Sequence, residues 1–165
     1  MDLKLDIKKI NSSDKEVLVN LFQLYMHDIT KWLHMDVNKH GLFEYNEIDL
    51  YFINDENRKA YFIMVDNNIA GFVLIDKDFL ILEKSKNNFN ISEFFILNGY
   101  KRKGIGKMVA KKIFDMHQGK WEVRPVPKSK EAYEFWVNVI REYTNDNYKI
   151  YELKNDSRKP ITFEN

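Results

Sequence analysis

Apolar and polar positions along this chain fall into patterns that separate strands from helices. Leu3, Leu5 and Ile7 alternate with Lys4, Asp6 and Lys8, which predicts a first strand with one wet face. Ser13 and Glu16 have the spacing of a capping box. Leu18, Leu21, Phe22 and Tyr25 follow at i, i+3, i+4 and i+7, so a helix is expected to begin near Asp14. From His27 to Phe52 the periodicity weakens, and one short helix and a loop carrying Gly41 are expected. Tyr61–Val65 and Ile69–Ile75 are β-rich runs joined by Asp66-Asn67-Asn68, residues that tolerate positive φ, so they read as a hairpin. Phe79–Leu82 reads as an extension of the sheet, Ser85–Asn90 as a polar loop and Ile91–Leu97 as another strand.

Ile105, Met108, Val109, Ile113 and Met116 then form an apolar stripe on a helix that Gly119 would stop. Trp121–Arg124 is a short strand ended by Pro125 and Pro127. Ser129 can cap a helix whose stripe is Ala132, Phe135, Trp136, Val139 and Ile140. Tyr148–Leu153 and Ile161–Phe163 are closing strands. Strands and helices alternate without repeats or long linkers, which predicts one α/β domain over residues 1–165.

Composition narrows the function classes. Hydrophobic residues make up 44% and charged residues 31%, enough for a core under a charged surface. Apolar runs such as Phe94-Phe95-Ile96-Leu97 are too short to span a bilayer, so no membrane role is expected. The start, Met1-Asp2-Leu3-Lys4, lacks the order of a signal peptide. The absence of cysteine removes disulfides, thiolate metal sites and a cysteine nucleophile, and a cytoplasmic location is the simplest expectation. His27, His34 and His40 lack familiar zinc spacing, so no metal site is expected. Twenty-six basic against 25 acidic side chains argue against a dedicated nucleic-acid binder.

The most informative stretch is Lys101-Arg102-Lys103-Gly104-Ile105-Gly106-Lys107, between a buried strand and an amphipathic helix. Glycines at 104 and 106 let a ligand approach the backbone. The amides that open the next helix lack intrahelical partners and carry the positive end of its dipole, so the turn suits an anion such as a pyrophosphate. A P-loop would need lysine where Ile105 stands, and a dinucleotide fingerprint would need glycine at Val109.

The turn follows the pattern Arg or Gln, two residues, Gly, one residue, Gly or Ala. On it, Ile96 to Lys107 resembles the Gcn5-related N-acetyltransferase (GNAT) family, with Lys101 in the Gln or Arg place. Downstream, Ser129 and Trp136 stand where the family has Asn and, seven residues on, Tyr. Ala132-Tyr133-Glu134-Phe135-Trp136 is in register with its Ala-x-x-Phe-Tyr. The likeness covers residues 60–153, with the N-terminal part looser, and extends more narrowly to a bacterial group of predicted acetyltransferases. It implies a mixed, mostly antiparallel twisted sheet of six to seven strands, splayed in the middle and flanked by about four helices. It also implies acetyl-coenzyme A as cosubstrate, held by Phe95, Ile96, Leu97, the residues from Lys101 to Lys107 (Arg102, Lys103, Gly104, Ile105 and Gly106 among them), Ser129 and Trp136.

By the same resemblance, acetyl passes directly to an amine of a small molecule or peptide, and a homodimer is allowed. An amide near Ile96 or Leu97 would hold the developing oxyanion. Glu93, on the strand beside the expected thioester, is the candidate base. Trp136 replaces the family's usual acid, and indole cannot give a proton at neutral pH. Tyr133 is the candidate acid, with Tyr143 as another. For the acceptor, Tyr25, His27, Asp28 and Trp32 combine ring faces and acidic groups suited to a cationic amine, with His34, Asp36 and Tyr45 nearby. The alternative reading is a catalytically weakened acyl-coenzyme A-binding or regulatory module of the same fold.

Overall fold

A computed structural model describes residues 3–53, 56–154 and 156–165; Met1, Asp2, Asn54, Asp55 and Asn155 lie outside it. A seven-stranded sheet forms the middle layer. Its strands are β1 (Leu5–Lys9), β2 (Lys59–Val65), β3 (Asn68–Asp76), β4 (Asn88–Ile96), β5 (Lys120–Val123), β6 (Tyr148–Ile150) and β7 (Ile161–Glu164). Their spatial order is β1-β2-β3-β4-β5-β7-β6, antiparallel throughout except between β4 and β5. Helix α1 (Lys15–Ile29) covers one face, and α2 (Ile105–Met116) and α3 (Lys130–Thr144) cover the other. The further helix expected between His27 and Phe52 is a 3-10 segment, Asn46–Tyr51. No helix among the described residues is long and apolar enough to cross a membrane.

The core divides at the sheet. Leu18, Phe22, Tyr25, Phe72 and Phe95 pack under α1, whereas Val73, Ile113, Phe114, Trp121 and Trp136 pack under α2 and α3. The expected hairpin forms, with Asp66 at φ 48 and Asn67 at φ 65 making the turn. Gly71 lets β3 and β4 close up, because a Cβ there would stand 1.9 Å from the carbonyl oxygen of Phe95.

Several local expectations are corrected. The first helix is entered through a 3-10 turn, Ser12–Asp14, and the Asn11 amide donates to the Asp14 carboxylate at 3.1 Å. That bond moves the cap two residues ahead of Ser13. Phe79–Leu82 is a loop and not a strand, because the amides of Leu80, Ile81 and Leu82 donate to the buried Glu122 carboxylate at 2.9, 3.0 and 3.1 Å. Strand β4 begins at Asn88, since Asn88–Ile91 pairs with Lys120–Val123. On α2 the buried stripe is Ile105, Val109, Ala110, Ile113 and Phe114, while Met108 and Met116 are exposed.

Candidate active site

The site begins where the sheet comes apart. β4 pairs with β5 only from Asn88 to Ile91, yet stays paired with β3 as far as Ile96. The second half of β4 therefore has β3 on one side and a cleft on the other. Successive amides of a strand point to opposite sides. Leu97 donates to Ala70 at 2.8 Å, which ties its amide to β3 and removes it as an oxyanion donor. The amide of Ile96, one residue earlier, faces the cleft.

A cavity of about 490 Å³ fills the cleft. Its floor is Phe94, Phe95 and Ile96 of β4. Gly104, Gly106 and Lys107 stand at one end, α3 supplies Ala132, Phe135 and Trp136, and α1 closes it with Tyr25, Asp28, Ile29 and Trp32. Gly104 is the N-cap of α2 at φ 75, a left-handed conformation that costs a residue with a Cβ roughly 1–2 kcal/mol. A Cβ there would meet no protein atom within 4 Å, so the space beside it is open to a ligand. The first helical bond, Met108 to Gly104, leaves the amides of Ile105, Gly106 and Lys107 without intrahelical acceptors. At Gly106 a Cβ would press on the Phe135 ring at 3.3 Å. Ser129 is buried, accepts from the Ala132 amide at 3.1 Å and lines the cavity as it caps α3.

Cations surround the turn. Lys101 pairs with Asp28 at 2.9 Å, and Lys107 and Lys111 share Glu142. Arg102, at φ 63, lines the cavity and forms no ion pair among the described residues.

Behind Tyr25 lies a polar cluster built by an irregularity in β4. Leu74 pairs with Glu93 but Ile75 with Ile91, so Ser92 is an extra residue. Such a bulge lets two consecutive side chains lean to one face. The Glu93 carboxylate accepts from the Tyr25 hydroxyl at 2.5 Å and from Tyr45 at 3.3 Å, and Ser92 lies beside Tyr45 and Tyr51. Burial raises Glu93 to about 7, against the lowering effect of the two tyrosine hydroxyls. Burial, with the Glu93 charge beside it, pushes Tyr25 well above its ordinary value, and does the same to Tyr45.

The model of the acetyltransferase (GNAT) family matches residues 20–134. The chain belongs to this family. No protein of curated function matches its sequence. Its fold is similar to that of an acetyltransferase from Thermus thermophilus (12% identity, 98% of this chain and 97% of that one, TM-score 0.68). It is also similar to spermidine N-acetyltransferase from Vibrio cholerae in complex with CoA and spermine (14% identity, 97% and 95%, TM-score 0.63). A domain from Methanocaldococcus jannaschii matches at 17% identity over 99% of both chains, with TM-score 0.63.

GNAT acetyltransferases use acetyl-coenzyme A, and the cavity fits it. Free amides and the open side of Gly104 suit the pyrophosphate, and the narrow apolar cleft suits the pantetheine arm. Of the residues read from the sequence, Tyr25, Asp28, Trp32, Phe95, Ile96, Lys101, Arg102, Gly104, Gly106, Lys107, Ser129 and Trp136 line the cavity. Leu97 and Lys103 do not, and Ile105 contributes only backbone because its side chain is in the core. Exposed His27 points elsewhere.

Tyr133 lies off the cavity, its ring 5.7 Å from the Lys159 ammonium, so this geometry gives it no contact with a leaving thiolate. Tyr143 donates to Asp115 on the far side of the core. Tyr51, Ser92, Val126 and the ring of Phe94 were missed. Only the bulge brings Ser92 to the cluster, and a bulge leaves no mark in the apolar pattern.

Proposed function

We propose that this chain transfers acetyl from acetyl-coenzyme A directly to a primary amine, within one domain, with Glu93 as the base and Tyr25 between base and acceptor. The Tyr25–Glu93 hydrogen bond at the cavity wall is the observation that carries this reading. An alkylamine titrates near 10, so it arrives protonated and must lose a proton before it can attack. A carboxylate at about 7 can take that proton at neutral pH while still being ionised often enough to serve. Tyr25, held strongly protonated, hands its proton to Glu93 as it receives one from the amine.

The thioester supplies an activated acetyl group. The new C–N bond forms as the C–S bond breaks, and the Ile96 amide is placed to hold the charge that develops on the carbonyl oxygen. A thiolate is a competent leaving group, since thiols are far more acidic than alcohols (cysteine titrates at about 8.5), so Trp136 in the tyrosine place does not stop the reaction. The indole packs edge-on against Phe94 at 5.0 Å between ring centroids, and among the described residues its N–H has no hydrogen-bond partner.

Asp28 and Trp32 form the acceptor end and suit a cation. Coenzyme phosphates attract Lys101 away from Asp28, which then faces the acceptor. The Vibrio cholerae neighbour, a spermidine N-acetyltransferase, acts on an amine of that kind. Release of free thiol from acetyl-coenzyme A with a panel of primary amines, and not with the matching alcohols, is the expected result. Coenzyme binding without thiol release for any amine would overturn catalysis and leave a binding module.

A further inference from the structure

A second, larger cavity of about 1170 Å³ lies at the other end of the sheet, where β1 and β3 end and β2 and β4 begin. It plays no part in the reaction above. Lys9, Lys59, Lys77, Lys84 and Lys86 line it, and among the described residues none of the five forms an ion pair. At the coenzyme turn Lys101, Lys107 and Lys111 are, by contrast, paired with Asp28 or Glu142.

The carboxylates in the same wall are mostly engaged. Asp76 accepts from Asn90 at 2.8 Å and from the Asp78 amide at 3.0 Å, Asp78 faces Arg124 at 3.5 Å, and Glu47 accepts from Tyr45 at 3.4 Å. Among the described residues the Glu56 carboxylate has no such partner, though its carbonyl accepts from Lys59 at 3.3 Å.

The wall is also built. The Lys77 ammonium sits 3.8 Å over the Phe89 ring and donates to the carbonyls of Lys86 and Asn88, which anchors the loop after β3. The Tyr61 hydroxyl and His117 Nε2 are 3.0 Å apart beside it. Burial and the nearby Lys59 charge pull Lys77 down to about 8; burial, Lys59 and Lys77 together pull His117 down to about 4. Lys59 and Lys77 are thus held near each other in one cavity, neither in an ion pair among the described residues, and an anion between them would relieve that repulsion.

We infer that this cavity binds a small polyanion of the phosphate class, with Lys59 and Lys77 as its charge partners and the Tyr61 hydroxyl as a donor. The test is calorimetric titration of inorganic pyrophosphate into the chain saturated with coenzyme A, so that the first cavity is blocked. Saturable one-to-one binding is expected. Lys59→Gln, at the start of β2, weakens binding by about tenfold or more, the scale of one lost charged hydrogen bond. Lys77→Met, which keeps the stem on Phe89, does the same, and coenzyme affinity is unchanged in both. The anion also raises the NMR titration midpoint of His117. No saturable binding with coenzyme present, or equal affinity in wild type and Lys59→Gln, would overturn the inference and leave the acetyl-transfer reading intact.

Discussion

The Tyr25 hydroxyl, on α1, donates to the Glu93 carboxylate, on β4, at 2.5 Å. Tyr25 lines the coenzyme cavity and Glu93 lies behind it, so in the proposed reaction one side chain is the contact surface and the other the proton store. The bulge at Ser92 makes the pairing available by turning Glu93 toward α1.

Glu93→Gln keeps the shape and removes the proton acceptor. Its kcat is expected to fall by ~10²–10⁴-fold, the range for a positioned base. In wild type the rate rises with pH through about 7, where Glu93 ionises, and then levels. Steady-state rates from pH 5.5 to 8.5 check both points; an unchanged acid limb in the variant would make Glu93 structural.

Tyr25→Phe removes a hydrogen bond that favours the ionised carboxylate. The Glu93 titration therefore moves further up, and the acid limb of kcat/KM shifts to higher pH. An identical profile in the folded variant would exclude Tyr25 from the proton path.

Glu93 also links stability to pH. Its folded-state value lies above the unfolded one, so between about 4.5 and about 7 the folded chain binds more protons. Stability therefore falls as pH rises through that window. Glu93→Gln lacks this loss and gains on wild type by up to about 3 kcal/mol above pH 7, taking about 1.4 kcal/mol per unit. Melting temperatures of both proteins at pH 5 and pH 8 decide it.

Gly104→Val forces a branched side chain into the left-handed region beside the open face of the turn. Coenzyme affinity is expected to drop by about tenfold or more, the equivalent of 1.4 kcal/mol. Since no protein atom is struck, Tm falls only modestly. Calorimetry on folded variant protein checks this, and unchanged affinity would remove the turn from the coenzyme site.

Trp136→Ala is expected to cost ~3–5 kcal/mol, because the ring is buried between Phe94, Phe135 and Phe114. Trp136→Phe keeps most of the packing and most of kcat. A folded Phe variant slower by more than ~10²-fold would instead give the indole N–H a catalytic part.

Most of the architecture was legible because burial imposes period. The hairpin about Asp66–Asn67, the cap at Ser129 and the stripe of α3 follow from local pattern alone. What failed was set by distant partners. The Leu80–Leu82 run reads as a strand until Glu122, 40 residues away, claims its amides. Apolar residues mark Phe94–Leu97, but only the register with β3 reveals which amide is spent on Ala70. Tyr133 and Trp136 look equivalent in a motif, yet three residues of helical rotation put one outside the cavity and the other within it.

The early parting of β4 and β5 has a consequence for solution behaviour. An unpaired strand margin invites another chain to add to it, which is a route to aggregation. Here that margin is the second half of β4, sunk between α1 and α3 instead of lying at the rim of the molecule. A neighbouring polypeptide is too broad to reach it, whereas a thin, flexible arm bearing amides is not. The recess thus shields a sticky backbone from other proteins while leaving it accessible to the coenzyme.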